Sequence, residues 1–184
     1  PIGSDFFDAT PRRFSKIKQN KDRGYWVYEN KEVLPRFYFV RNAVFASRTT
    51  IDAAIRQGDG DPRSKVYLEE KPSSLLAPCQ QSTDGAVSVK TYQSDRILLQ
   101  TSNPCDSYLV SSEVMYPGGT ATIDGKETKI SVGNLAFRTI FVPAGDHIVQ
   151  MRYRPRIVYL GALVSLVSLV VFFWLIYDDG HGIA

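Results

Sequence analysis

The chain offers little for catalysis or metal binding. It has only two cysteines and two histidines, too few for a zinc site, which takes four Cys or His ligands in its structural form. No G-x-S-x-G context surrounds Ser111-Ser112, so a serine nucleophile elbow is excluded there. His147 follows the turn pair Gly145-Asp146 and reads as a hairpin residue, and His181 lies in the tail. Asp124 is accounted for by its turn, and Asp84, Asp95 and Asp106 each flank a strand as loop residues. The acidic Gly58-Asp59-Gly60-Asp61-Pro62 stretch lacks the alternating oxygen ligands and closing Glu of a calcium loop, which leaves a turn. Neither a metal nor a cofactor is expected. The net charge of +3 is too small to argue for nucleic acid. Neither a secretory signal peptide nor a starting Met precedes Pro1, so the chain is expected to be the C-terminal piece of a longer one.

One stretch also lacks charge altogether, and it organises the rest. Ile157–Tyr177 carries no charged residue. As a helix at about 1.5 Å per residue it would reach roughly 32 Å, against a hydrocarbon core of about 30 Å. Its polar exceptions, Ser165 and Ser168, can bond back to their own helix. Tyr159 lies near one end and Trp174 and Tyr177 near the other, where amphipathic rings prefer the headgroup level. A helix apolar on every face belongs in lipid, because nothing upstream supplies enough apolar surface to enclose it.

The remaining chain suffices for one soluble domain of mainly β class. Residues 1–24 form a polar segment, and within a dozen positions of it Arg12, Arg13, Lys16, Lys18, Lys21 and Arg23 are opposed only by Asp22. Clustered basic charge of this kind suits a solvated surface or contact with anionic headgroups or an anionic polymer. Residues 25–85 read as a small α/β portion, with strand signals at Gly24–Tyr28, Leu34–Val40 and Lys65–Glu69. One helix is expected at Thr49–Gln57, capped by Thr50 and stopped by Gly58. From Ala86 the pattern changes to period two. Residues 86–155 give strands at Arg96–Thr101, Tyr108–Met115, Ala136–Val142 and His147–Arg154, with a hairpin at Asp124-Gly125, the strongest such signal in the chain. Several short strands separated by turn residues predict a β-sandwich or jelly-roll-like domain, followed by one transmembrane helix over 157–177 and a tail over 178–184. Only Pro155-Arg156 separates the last strand from the apolar run, so the domain should sit directly against the headgroups. Cys79 and Cys105, each beside a proline, could pair in an oxidising compartment.

Three segments together resemble the YfhO-like family of bacterial multi-pass membrane proteins. Val27-Tyr28-Glu29-Asn30-Lys31-Glu32-Val33-Leu34-Pro35-Arg36-Phe37 is similar to the family's YEN…LPR segment. Tyr116-Pro117-Gly118-Gly119-Thr120-Ala121-Thr122-Ile123-Asp124-Gly125-Lys126 is similar to its YPGW hairpin, with Gly119 standing where the family usually has Trp. Phe141-Val142-Pro143-Ala144-Gly145-Asp146-His147, then Arg152-Tyr153-Arg154-Pro155 and the final helix, complete the set. The order and spacing match over most of residues 25–177.

The resemblance implies a polytopic parent similar to lipid-carrier-dependent glycosyltransferases, which move a sugar from a polyprenyl-phosphate donor to an envelope polymer outside the bacterial cytoplasmic membrane. Catalytic carboxylates would lie in the parent's N-terminal loops. This segment is therefore expected to bind or position, with no catalytic site of its own. The alternative is a non-catalytic carbohydrate-binding or envelope scaffold module. Expected partners are the bilayer, the parent's other membrane helices, and a polyprenyl-phosphate-linked sugar or an anionic envelope polymer. Exposed rings could stack on sugars or lie among lipid headgroups, which makes Tyr25, Trp26 and Tyr116 candidate contacts, with Tyr28 a further platform. The bare backbone of Gly118 and Gly119 adds a place of close approach. Arg152, Arg154 and Arg156 on the domain side and Asp178 and Asp179 on the tail side point to a cytoplasmic domain by charge alone; the resemblance places it outside.

Overall fold

The computed structural model describes residues 13–59, 61–71, 76–79 and 85–181, the side chains at 175 and 177–181 excepted. Expectations for Arg12, Asp84, the tail carboxylates, His181 and the Tyr177 ring fall outside that description. The chain divides into two compact units, Pro1–Pro35 and Arg36–Ala184.

The first unit holds an antiparallel hairpin of β1 (Phe14–Asn20) and β2 (Tyr25–Asn30). β1 lies in the polar 1–24 segment, for which the sequence gives no strand signal. The register shifts between Lys16 and Lys18, so one bulge breaks the alternation that would mark β1. The turn is made by Asn20, whose Oδ1 accepts the Arg23 N–H at 2.9 Å, and by Gly24 at φ +66°. On this hairpin the Lys16 ammonium lies 3.6 Å from the Trp26 ring centroid.

The second unit is a two-sheet sandwich. One sheet has five strands, in the order β10 (Lys126–Thr128), β9 (Gly119–Ile123), β13 (Gly145–Tyr153), β7 (Arg96–Asn103) and β6 (Ala86–Tyr92). The other has six, in the order β3 (Phe37–Val40), β8 (Ser107–Val114), β12 (Phe137–Val142), β11 (Ile130–Gly133), β5 (Lys65–Leu68) and β4 (Asn42–Phe45). Alternate residues of both sheets meet in one core that includes Leu99, Leu109, Ile140, Val142 and Val149, all with no exposed surface. Burying each such side chain is worth about 1.5–3 kcal/mol. A second cluster, with Val40, Val66, Leu68, Tyr108 and Val110, covers the opposite face of the six-stranded sheet. The mainly β class with one C-terminal apolar helix is thus the observed class.

Local chemistry fixes the details. Asp124 and Gly125 have φ of 50° and 81°, as a two-residue type I′ hairpin requires, and they join β9 to β10. The chain then crosses at Lys129 from β10 in one sheet to β11 in the other, which makes a corner of the sandwich. The only parallel pairing among the described residues is β4 with β5, joined by the crossover helix α1 (Arg48–Arg56). Its N-cap is Ser47, not Thr50: Ser47 Oγ accepts the Thr50 N–H at 3.3 Å. The helix gives way to Gly58 at φ +70°. Arg36, Tyr92 and Glu113 clamp the two sheets together. Arg36 Nη1 donates to Glu113 Oε1 at 2.8 Å, and the Tyr92 hydroxyl donates to the same oxygen at 2.6 Å.

Cys79 and Cys105 are paired, with Cα atoms 6.1 Å apart. Beyond β13 runs α2 (Arg156–His181), whose Arg156–Trp174 part is long and apolar enough to span a membrane and is enclosed by nothing in the fold. Ser165 and Ser168 donate to the carbonyls of Gly161 and Val164 at 3.0 and 2.9 Å, so their hydroxyls need no water.

Candidate functional site

The junction between β13 and α2 is the most elaborated feature of the surface. β13 ends at Tyr153 and α2 begins at Arg156, with only Arg154-Pro155 between them. The 116–119 loop is drawn onto this link. Arg154 N–H donates to the Gly118 carbonyl at 2.9 Å, and Tyr153 pairs with Gly119 across the sheet. Gly118 has φ +97°, and a Cβ there would lie 2.8 Å from Pro155 Cα. No other residue both adopts this conformation without strain and permits so close an approach. At Gly119 a Cβ would meet nothing nearer than 3.4 Å, so the position where the family usually has Trp has room for a side chain to begin.

Around this clamp is a cleft of about 860 Å3, lined among others by Pro117, Gly118, Tyr153, Arg154, Arg156 and Tyr159. Arg154 and Arg156 are exposed and make no side-chain ion pair among the described residues. Tyr116, 57% exposed, and Tyr159, 66% exposed, lie on either side of the Gly118–Pro155 contact in sequence. A bilayer crossed by α2 over Arg156–Trp174 would have the cleft at its surface. Two guanidiniums, amphipathic rings and bare backbone at that depth can hold an anionic headgroup: Arg forks match phosphate geometry, and tyrosine rings settle in the interface.

Of the sequence-level candidates, the structure brings Tyr116, Gly118 and Gly119 to this junction. Tyr25 and Trp26 belong to the hairpin of the other unit, 45% and 38% exposed. In the sequence Arg154 and Arg156 count as charges that bear on orientation, and Arg154 also as part of a family-like segment, but not as site residues. The signal available for them as site residues was their position around Pro155, immediately before an uncharged run.

Elsewhere, Asp124 and His147 come together. Asp124 Oδ1 accepts the Ile148 N–H at 2.8 Å, and Oδ2 lies 2.7 Å from His147 Nδ1. The carboxyl is held below its ordinary range by the Ile148 bond and then by His147, while the imidazole is raised chiefly by its bond to Asp124. His147 Nε2 faces the Ala144 carbonyl at 3.3 Å. Both ring nitrogens are therefore engaged, and the pair ties the β9–β10 turn to β13 rather than serving a nucleophile. Among the described residues no three His, Cys, Asp or Glu side chains converge as metal ligands.

The comparison with protein families bears on the same stretch of chain. The model of the family described as bacterial membrane protein YfhO matches residues 67–165, from β5 into the first turns of α2. This chain belongs to the YfhO family. It is accordingly a membrane protein in contact with the lipid bilayer, and the junction lies within the matched segment. No curated protein and no solved structure matches it.

Proposed function

We propose that the sandwich is the extracytoplasmic, membrane-apposed domain of a polytopic YfhO protein similar to lipid-carrier-dependent glycosyltransferases. Its part is to position, at headgroup level, the phosphate of a polyprenyl-linked sugar or a unit of the acceptor polymer. The observation that carries this reading is the junction cleft, where Arg154 and Arg156 are presented beside a loop clamped to the membrane helix. Transfer itself is assigned to carboxylates elsewhere in the parent. Among the described residues of the sandwich there is no nucleophile–base or paired-carboxylate arrangement of the kind such chemistry needs. The outward placement is supported by the paired cysteines, since disulfides persist in oxidising compartments and are rare in the cytosol.

The test uses cells making the intact protein. Arg154→Gln with Arg156→Gln is expected to lower sugar incorporation into the envelope polymer at least tenfold, with the protein's membrane level unchanged. Unchanged incorporation would refute positioning at the junction. Retained transfer after excision of residues 36–153, together with glycan binding by the sandwich, would establish the scaffold alternative in its place.

A further inference from the structure

The outer face of the five-stranded sheet carries two arginines that strand pairing brings together. β13 and β7 run antiparallel in a register that sets Arg152 directly opposite Arg96, and β9, on the other side of β13, sets Thr120 opposite Arg152. Side chains directly opposite share a face, with Cβ atoms about 4.5–5.5 Å apart. The next pair along, Met151 with Ile97, is buried in the core, so the arginine row points away from it. Only Tyr153, Arg154 and Pro155 lie between Arg152 and α2. Thr120 also lines the junction cleft, so the row begins where the cleft ends.

Like charges directly opposite each other oppose folding, and no acidic group offsets them here. Neither guanidinium makes a hydrogen bond or an ion pair among the described residues. Other arginines of the sandwich are met: Arg36 by Glu113 at 2.8 Å, Arg48 by Glu69 at 2.7 Å and Arg56 by Asp52 at 2.8 Å. Arg152 is half-buried and its Nε is enclosed, so its side chain is packed along the sheet rather than extended into solvent. Arg96 and Thr120 are exposed. The adjoining row on this face is uncharged across Thr122, Gln150, Leu98 and Thr91. The carboxylates on this side are Glu127, two strands from Arg152, and Asp95, the chain neighbour of Arg96. Neither comes within ion-pair distance of either arginine. Two guanidiniums and a threonine hydroxyl are thus set side by side on three neighbouring strands, with no carboxylate to meet them.

We infer that Arg96, Arg152 and Thr120 form a binding site for a phosphate group, carried either by a soluble ester or by an anionic lipid headgroup. A phosphate placed between the arginines replaces their mutual repulsion with two attractions. Each guanidinium presents a fork of N–H donors to its oxygens. A carboxylate has two oxygens, which one fork would occupy; a phosphate has enough for both forks and for the Thr120 hydroxyl. The inference depends neither on the role of Arg154 and Arg156 in the junction cleft nor on glycosyl transfer.

The full chain is held in maltoside micelles, which contain no phosphate. It is titrated with glycerol 3-phosphate against glycerol, and with phosphatidylglycerol added to the micelles against diacylglycerol. Binding is read by phosphorus NMR line broadening and by the rise in melting temperature. Each titration is repeated on Arg154→Gln with Arg156→Gln, which removes the junction arginines. At least one phosphate is expected to bind saturably and raise the melting temperature, with or without the junction changes. Arg96→Gln should weaken that binding at least tenfold, as loss of a charge-assisted contact does. Arg23→Gln, the same charge change in the first unit, should not. In phosphate-free buffer Arg96→Gln should leave the melting temperature unchanged or higher, because one of two opposed like charges is gone; a purely structural role would lower it. A stronger response to glycerol 3-phosphate assigns a soluble ester, and a stronger response to phosphatidylglycerol a lipid headgroup; either supports the inference. No saturable binding of either phosphate, binding undiminished by Arg96→Gln, an equal loss with Arg23→Gln, or a lowered melting temperature of Arg96→Gln without phosphate overturns it. Binding lost with the junction arginines but kept by Arg96→Gln would confine phosphate to the cleft, which overturns this site and leaves the proposed function standing.

Discussion

Replacing Gly118 by alanine tests the membrane junction more directly than any change of charge. The residue sits at φ +97°, a conformation that costs an L-residue about 1–2 kcal/mol. Its new Cβ would lie 2.8 Å from Pro155 Cα, a backbone atom that cannot swing aside as a side-chain tip would. If the loop stays, the crowding adds about 1–3 kcal/mol. If it moves off, the bond from Arg154 N–H to the Gly118 carbonyl is lost, worth about 1 kcal/mol. The first route comes to about 2–5 kcal/mol and the second to about 2–3, and the cheaper one corresponds to a fall in melting temperature of about 4–12 °C for a chain of this size. Gly119→Ala is the control, one residue away. Its Cβ meets only ordinary contacts, with the Tyr116 carbonyl at 3.4 Å and Ile130 Cδ1 at 3.9 Å, so stability should stay within about 1 kcal/mol. The assay is thermal unfolding of the chain in detergent micelles, followed by the β-sheet circular dichroism signal. Equal shifts for the two variants, or none for Gly118→Ala, would refute the claim that close approach to Pro155 holds the sandwich on its helix.

Two further outcomes are expected. The disulfide closes a loop of sequence separation 26, so reduction, or Cys79→Ser with Cys105→Ser, should lower stability by about 3–4 kcal/mol; a urea midpoint unmoved by reductant would contradict this. Stability should also vary with pH through the Asp124–His147 pair, which Asp146 and Lys126 flank. The raised imidazole contributes fully below its unfolded value of 6.5, and its contribution is lost as pH rises through the higher folded value. The lowered carboxyl contributes above its unfolded value of 3.8, and its contribution is lost as pH falls through the lower folded value. His147→Gln should therefore flatten the decline in melting temperature between mildly acid and alkaline pH, and a variant that keeps the full decline would place its origin elsewhere.

Where the sequence could be read, it was because one physical rule dominated locally. Asp124-Gly125 specifies its turn by backbone conformation alone, and the apolar run specifies α2 by length and lack of charge. β1 was missed because the bulge at Ile17 breaks its alternation and because its partner face is a lysine over Trp26, not a core. The corner at Lys129 was missed because period-two patterning marks that a segment is extended, not which sheet it joins. Ser47 rather than Thr50 caps α1 because a helix can start at any of several hydroxyls until tertiary packing chooses, here by burying Ile51 completely. Most of the candidate sites share that difficulty. Gly118 was legible as a turn glycine, but its contact with Pro155 depends on pairing across β9 and β13. Arg96 and Arg152 carry no motif and become neighbours only through the pairing of β7 with β13.

The same long-range view bears on orientation. Arg152, Arg154 and Arg156 together would favour a cytoplasmic domain if all three counted as loop charges. Arg152, however, is a β13 residue paired with Arg96 and Thr120, with its Nε buried, so it belongs to the folded sheet. That leaves Arg154 and Arg156 against Asp178 and Asp179, and acidic residues contribute little to orientation. Two arginines are by themselves a weak signal of orientation. They are a strong local feature at a headgroup surface, where each is worth about 1 kcal/mol toward an anionic lipid. In the outward placement proposed, the pair would serve the headgroup surface rather than set the orientation. The proposed placement would account for the disulfide as well, because disulfides persist in oxidising compartments.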